Sequence, residues 1–328
     1  MSQEKMTRLI YILAASHSGS TLLASLLANH PSVCTAGELK LTSLGNIEQY
    51  RCSCRTLIEQ CPFWSGVKED MHRRGFSFSV GNAGTDLATG ATRYVRRLLR
   101  PLHRGPMLEW VRDRMLSLSS HWRTQLPQIQ ARNAALAACI SLRAGKPILV
   151  DSSKIAIRLK YLLRNPGLDI QVIRLVRDGR GVALTYTDPS RFADAQDPQL
   201  RGGGTGRGRP TEQLSFADGA WEWRRSTEEA EAVLAGLPRD CWTEVRYEEL
   251  CAHPKETLER LFRFIGVDAD QTSPQRRGAE LHVIGNGMRF DEGRDVILDD
   301  RWKSVLGTRE LQTFDSIAGH VSRRLGYV

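Results

Sequence analysis

No stretch of this 328-residue chain approaches the roughly 20 consecutive apolar residues of a membrane span. Near the start, Met1 to Arg8 leads straight into an apolar strand pattern. No apolar core followed by a small-residue cleavage site precedes it, so a signal peptide is not expected and a cytoplasmic location is. Acid is in short supply as well. Lysine and arginine number 46 against 37 aspartate and glutamate, for a net charge of +9 and a pI near 9.4. Such a balance favours an anionic partner and does not choose among nucleotide, nucleic acid, acidic polymer and membrane surface. The phosphate loop G-x-x-x-x-G-K-[ST] is missing too, which removes the lysine and the magnesium-binding hydroxyl of a Walker-type kinase or hydrolase. The seven cysteines do not form an even set. Cys34, Cys139, Cys241 and Cys251 are scattered and read as ordinary thiols. Cys52, Cys54 and Cys61 form C-x-C-x₆-C, read here first as packing, with metal or redox roles as the alternatives and His72 a distant candidate for a fourth ligand.

What is present is a strand that ends in a hydroxyl-rich turn. Leu9 to Ala14 is apolar, Ser16-His17-Ser18-Gly19-Ser20-Thr21 follows, and Leu22 to Leu27 has helical character. A helix start offers free N–H groups and a partial positive charge. Gly19 permits positive φ and close backbone approach. Ser18, Ser20 and Thr21 add hydroxyl donors. Such a turn suits a phosphate or sulfate, whereas a plain helix cap would use the same residues only to satisfy orphan N–H groups.

Apolar runs alternate with helical patterns along the chain. Strands are expected at Arg8–Ala14, Pro147–Val150, Ile170–Val176 and Cys241–Tyr247. Helices are expected at Ser20–Asn29, Gln125–Ala144, Lys154–Arg164, Ala217–Ala235 and Pro254–Ile265, the last stopped by Gly266. Strands separated by helices imply β-α-β units and an α/β fold with a covered central parallel sheet. Ligands of such sheets bind beyond the carboxyl ends of the strands. There Ser16–Thr21, Asp151–Lys154 and Arg177–Arg180 should converge. Residues 1–328 are expected to form one domain, with a helical or irregular insertion at about 66–124 and a mobile loop at about 190–215. That loop contains the glycine- and arginine-rich stretch 201–210.

Three further segments carry chemistry. Arg177 in Val176-Arg177-Asp178-Gly179-Arg180 offers a fork that matches phosphate oxygens, with Thr185 on the helix that follows. Lys154 is read as opening a helix, where a cation is tolerable when an anion lies between. Glu38 in Ala36-Gly37-Glu38 is a carboxylate near an anion loop, and general base is its natural role.

Together these segments resemble the sulfotransferases that use 3′-phosphoadenosine 5′-phosphosulfate (PAPS). Ser16–Leu22 is similar to their 5′-phosphosulfate loop, and Leu175–Arg180 to their 3′-phosphate site. Val245-Arg246-Tyr247-Glu248-Glu249-Leu250, His253-Pro254 and Phe264-Ile265-Gly266 resemble a third block. Asp300-Arg301-Trp302 to Tyr327 is similar to the carboxyl end of the protein-tyrosine branch. The resemblance implies a three-layer α/β/α fold with a P-loop-like turn, PAPS as donor, its product PAP, and no metal requirement. It implies that Ser18, Gly19, Ser20 and Thr21 hold the 5′-phosphosulfate, that Arg177 and Thr185 hold the 3′-phosphate, and that Tyr247 approaches the adenine. Asn286 and Arg301 would add donor contacts. Glu38 would be the general base and Lys154 the catalytic lysine. His17 stands where the family has lysine or arginine, and an adjacent anion should favour its charged form. The expected acceptor is a carbohydrate or small-molecule hydroxyl, with protein tyrosine as the alternative. From another class, a basic nucleic-acid-binding protein is the rival, weakened by the lack of aromatics around residues 201–210.

Overall fold

The computed structural model describes residues 6–40, 46–100, 105–188, 200, 213–271, 281–285, 287–290 and 295–328. In chain order the elements are β1 (Thr7–Ala14), α1 (Ser20–Leu27), β2 (Val33–Thr35), α2 (Pro62–Arg73), α3 (Arg93–Leu98), α4 (Gly105–Leu118) and α5 (Ser120–Ala144). There follow β3 (Ile148–Lys154), α6 (Ala156–Leu162), β4 (Leu168–Val176), α7 (Gly179–Tyr186), α8 (Phe216–Leu234), β5 (Trp242–Arg246), α9 (Tyr247–Ala252), α10 (Pro254–Ile265), α11 (Trp302–Val305) and α12 (Thr308–Arg324).

The strands form a five-stranded sheet in the order β2-β3-β1-β4-β5, and every pairing is parallel. Alternation along β1 explains its unbroken apolar run. Leu9, Tyr11 and Leu13 face a core shared with α2, α5, α6 and α8, where Trp64, Leu136, Leu159 and Leu234 are buried. Ile10, Ile12 and Ala14 face the opposite core, built with α1 and α10 through Leu23, Leu26, Leu258 and Phe262. A strand covered on both faces has no polar side to show. The result is the expected three-layer α/β/α arrangement.

Helix ends follow local chemistry. Asp178 caps α7 by accepting from Arg180 N at 2.9 Å, and Ser215 caps α8 by accepting from Asp218 N at 3.1 Å. Gly145 and Gly266 end α5 and α10 in the left-handed conformation. Lys146 Nζ donates to the carbonyls of Ala28, His30 and Val33, fastening the end of α1 to the start of β3.

Three expectations shift. The helix read as starting at Gln125 starts at Ser120, because Ser119 caps it and Pro127 is carried inside it. The strand read as ending at Val150 continues to Lys154, so Lys154 ends a strand and α6 opens only at Ala156. Lys154 takes positive φ at 69° as the chain leaves the sheet. Where described, the 66–124 region is helical in α2, α3, α4 and the start of α5 and largely irregular at 74–92. It has its own small core of Val95, Leu98, Leu116, Trp122 and Ile129, which packs on Ile157 and Tyr161 of α6. The expected loop at 190–215 lies largely outside the described residues.

Candidate active site

Parallel pairing places five strand ends along one edge. Leu13 aligns with Lys154, Ala14 with Leu175, Thr35 with Val150 and Val176 with Arg246. Beyond those ends lie the turn 16–20, Glu38, Lys154, Arg177 and Tyr247. The sequence-derived residues are therefore gathered by topology before any side chain is considered.

The turn after β1 is strained and tightly walled. His17 has φ 62° and Gly19 has φ 90°. A Cβ on Gly19 would meet the Tyr247 ring at 2.6 Å, so only glycine lets that ring lie against the turn. Ser18, Ser20 and Thr21 are all buried at the start of α1. The Ser18 hydroxyl is 1 % exposed and has no hydrogen-bond partner among the described residues. A buried hydroxyl without a partner costs about 1–3 kcal/mol. A ligand oxygen at the helix start would recover that cost.

Arg177 is buried. Its guanidinium donates to the His17 carbonyl at 2.8 Å and to Asp299 at 2.9 and 3.0 Å, and it lies 4.5 Å from the centre of the Tyr247 ring. Trp223 Nε1 donates to the Arg177 carbonyl at 3.0 Å, which fixes the backbone there. Arg301 grips the same carboxylate, donating to both Asp299 oxygens at 2.6 and 2.9 Å. Burial would raise the Asp299 carboxyl, but Arg301 and Arg177 outweigh it and hold it well below the usual carboxylate range. Burial pushes the Tyr247 phenol up to about 12, against the pull of Arg177. Its hydroxyl accepts from Asp299 N at 3.2 Å. The Thr185 hydroxyl is spent within α7, on the Gly181 carbonyl at 2.9 Å.

The second cluster is Glu38 with Lys154. Lys154 Nζ donates to Glu38 Oε1, and Glu38 remains about one-third exposed. The strap 37–40 that carries Glu38 is stapled to β3. Ser152 N donates to the Gly37 carbonyl at 3.1 Å, Leu39 N to Asp151 Oδ1 at 3.1 Å, and Lys40 N to Ser153 Oγ at 3.1 Å. Asp151 is fully buried, and its charge is met by Arg158 at 3.4 Å. On the other side Ile284 N donates to the Ala36 carbonyl at 3.0 Å. Gly37 has φ 87°, and a Cβ there would come within 1.9 Å of the Ile284 carbonyl oxygen.

Burial pushes the His17 imidazole down to about 3, with Lys154 and Arg177 adding to the effect. This environment favours the neutral imidazole, whose ring lies edge-on to Tyr186 at 4.4 Å. The charged form expected of His17 is the one beside a bound anion, and that role belongs to the proposed function. Asn286 lies outside the described residues. Sequence reasoning missed Asp299, because a carboxylate beside an arginine expected to bind phosphate runs against simple charge logic. It quoted Asp151 without seeing that its carboxylate ties down the Glu38 strap.

Comparisons with known proteins agree with this layout. A profile described as "Sulfotransferase family" matches residues 169–271, which span β4 to α10 and include Arg177, Thr185 and Tyr247. Carbohydrate sulfotransferase 1 of Rattus norvegicus is 29% identical over 177 residues, covering 52% of this chain and 41% of that protein. Its Homo sapiens counterpart is 29% identical over 117 residues, covering 34% of this chain and 27% of that protein. The matches thus span less than half the length of these curated relatives. Among solved structures, the sulfotransferase domain of the Synechococcus PCC 7002 olefin synthase superposes with a TM-score of 0.51 at 17% identity, covering 97% of each chain, and shows the same fold. These matches make the chain similar to sulfotransferases from β4 to α10 and, in overall fold, to a solved sulfotransferase domain.

Proposed function

We propose that this protein moves a sulfuryl group from PAPS to a hydroxyl of a carbohydrate or small molecule. The observation that carries the reading is the buried, unpartnered Ser18 hydroxyl at the start of α1, beside the carbonyl that Arg177 holds. An anion fits that place. Free N–H groups of the α1 start, the Ser18 and Ser20 hydroxyls and Thr21 would hold the 5′-phosphosulfate. Arg177 would hold the 3′-phosphate, joined by Arg301 once both release Asp299, with Tyr247 walling the site. Thr185 and Asn286 belong to the same reading. The bound donor supplies an activated sulfuryl group.

The protein's own part is acid–base and electrostatic. Lys154 occupies Oε1 of Glu38, which leaves Oε2 to take the proton of an incoming hydroxyl. The Lys154 ammonium and the turn N–H groups then face charge developing around the transferred group, in fixed positions that need no reorganisation. Catalysis of this kind is positioning plus charge stabilisation, as in phosphoryl transfer, and this chain offers no Walker lysine for a magnesium-based route. Carbohydrate as acceptor is supported by the curated relatives, which are named carbohydrate sulfotransferases.

Two measurements test the reading. Calorimetric titration with PAP should show micromolar binding that weakens about 10- to 100-fold in Arg177→Ala, the loss of one charged hydrogen-bonding partner. With a panel of sugar, small-molecule and tyrosyl-peptide acceptors, Glu38→Gln should lower turnover about 10²- to 10⁴-fold. Lys154→Ala should lower it about 10²- to 10³-fold. PAP binding should survive in both. A folded wild type that binds no PAP but binds DNA or RNA with steep salt dependence would replace this reading with the nucleic-acid one.

A further inference from the structure

The three clustered cysteines are joined in space by a histidine from the far end of the chain. Cys52 and Cys54 sit on a tight hairpin closed by the Arg51–Leu57 bridge, with Cys52 N donating to the Thr56 carbonyl at 3.0 Å and Arg55 at φ 69°. Cys61 immediately precedes α2, whose first residue is Pro62. His282 arrives from 221 residues beyond Cys61. The thiol sulfurs and a ring nitrogen of His282 all lie within 4.8 Å of one another.

The separations discriminate between packing and coordination. His282 Nδ1 is 3.4 Å from Cys61 Sγ and 3.7 Å from Cys52 Sγ, and Cys54 Sγ is 3.7 Å from Cys61 Sγ. Zinc bonds of about 2.3 Å to sulfur and about 2.0–2.1 Å to nitrogen give a tetrahedron whose edges are about 3.8 Å between sulfurs and about 3.6 Å from sulfur to nitrogen. The three measured edges match those values. All three cysteines are free thiols. His72, the sequence-level candidate for a fourth ligand, is exposed on α2 and outside this group.

The surroundings hold the donors in place. The His282 ring stacks on Phe63 at 4.7 Å, nearly parallel at 5°, and its carbonyl accepts from Trp64 Nε1 at 3.0 Å. Val283 N donates to Ser53 Oγ at 2.8 Å, and Ser53 N returns a bond to the Val283 carbonyl at 3.2 Å. A shell that fixes ring orientation and backbone is what a metal site requires beyond its ligands.

We propose that Cys52, Cys54, Cys61 and His282 bind one structural zinc ion. Three soft sulfur ligands and one imidazole select zinc over magnesium or calcium. Four protein ligands close the coordination shell, so the ion has a structural role and takes no part in the reaction. It ties the 51–57 hairpin and the start of α2 to residues 282–284. Ile284 of that segment pairs with Gly37, next to Glu38, so the ion braces one side of the Glu38 strap.

The test is metal content of the full chain, expressed with zinc in the medium and freed of loosely bound metal. Elemental analysis should give about one zinc per chain, falling below one-tenth in Cys61→Ser and unchanged in His72→Ala. His282→Cys, which restores four donors, should keep the ion even if Cys61→Ser fails to fold. Cobalt(II) in place of zinc should show the thiolate charge-transfer band and strong visible absorption of a tetrahedral site. Less than one-tenth equivalent of zinc in folded wild type, with no such cobalt spectrum, overturns the proposal. A Cys54–Cys61 disulfide found by mass mapping of that protein does the same. None of these readouts depends on sulfuryl transfer.

Discussion

Ser18 and His17 sit side by side and carry opposite lessons. Ser18 buries a hydroxyl that has no hydrogen-bond partner among the described residues. Ser18→Ala should therefore leave stability unchanged or raise it by about 1 kcal/mol in denaturant unfolding, while weakening PAP binding about tenfold. A variant that loses stability and binds PAP normally would make Ser18 a structural residue. His17 has its pKa lowered from 6.5 to about 3. The folded state resists a proton that the unfolded chain accepts below its ordinary value of about 6.5. Stability from this residue is thus fully present above about pH 6.5 and is lost progressively as pH falls toward 3. The unfolding midpoint of wild type should fall more steeply across that window than that of His17→Asn, a substitution that tolerates the positive φ. The position and hydroxyls of this turn were legible in the sequence. The lowered pKa of His17 was not, because the burial that drives it and the Lys154 and Arg177 charges that add to it come from tertiary packing.

At the scale of elements, the Glu38 strap depends on β3. Asp151 accepts from Leu39 N and Ser153 N, and it is the carboxylate partner of the buried Arg158. Asp151→Asn should cost about 3–5 kcal/mol, because Arg158 is left without its counter-charge. Turnover should fall with it as Glu38 loses its anchor, while PAP binding at the α1 start is retained. Equal loss of PAP binding and turnover would show that the two halves of the site are not separately held. Element boundaries were read well where a cap or stop speaks locally, as with Pro254, Ile265 and Gly266 around α10. They were misread where tertiary context decides. Asp151, Ser152 and Ser153 look like a turn, yet they continue β3 because strap, strand and Arg158 satisfy their polar groups in the interior. The three-residue strand β2 had no pattern of its own and forms by pairing with β3.

Across the whole molecule, distant segments complete both sites. Residues 295–301 bring Asp299 onto Arg177 and Arg301, so a carboxylate lies against the two arginines expected to meet a phosphate. Asp299→Asn should tighten PAP binding by about tenfold at low salt, because it removes the carboxylate that competes for Arg177 and Arg301, with a steeper salt dependence. Calorimetry at two ionic strengths checks this, and weaker binding would instead make Asp299 the support that positions Arg177. No helix among the described residues is long and apolar enough to cross a membrane.

By itself, the sequence determined the α/β class, the hydroxyl-rich turn after β1, the order of the motif blocks and most of the residues gathered at the sheet edge. Those features are local, since strand periodicity, caps and turn residues act over a few positions. Tertiary structure alone decided that the His17 pKa is lowered, that Lys154 ends a strand, that Asp299 closes on two arginines and that His282 joins three cysteines. Each of these rests on charges or donors brought together from parts of the chain more than a hundred residues apart, and no spacing in the sequence records such an encounter.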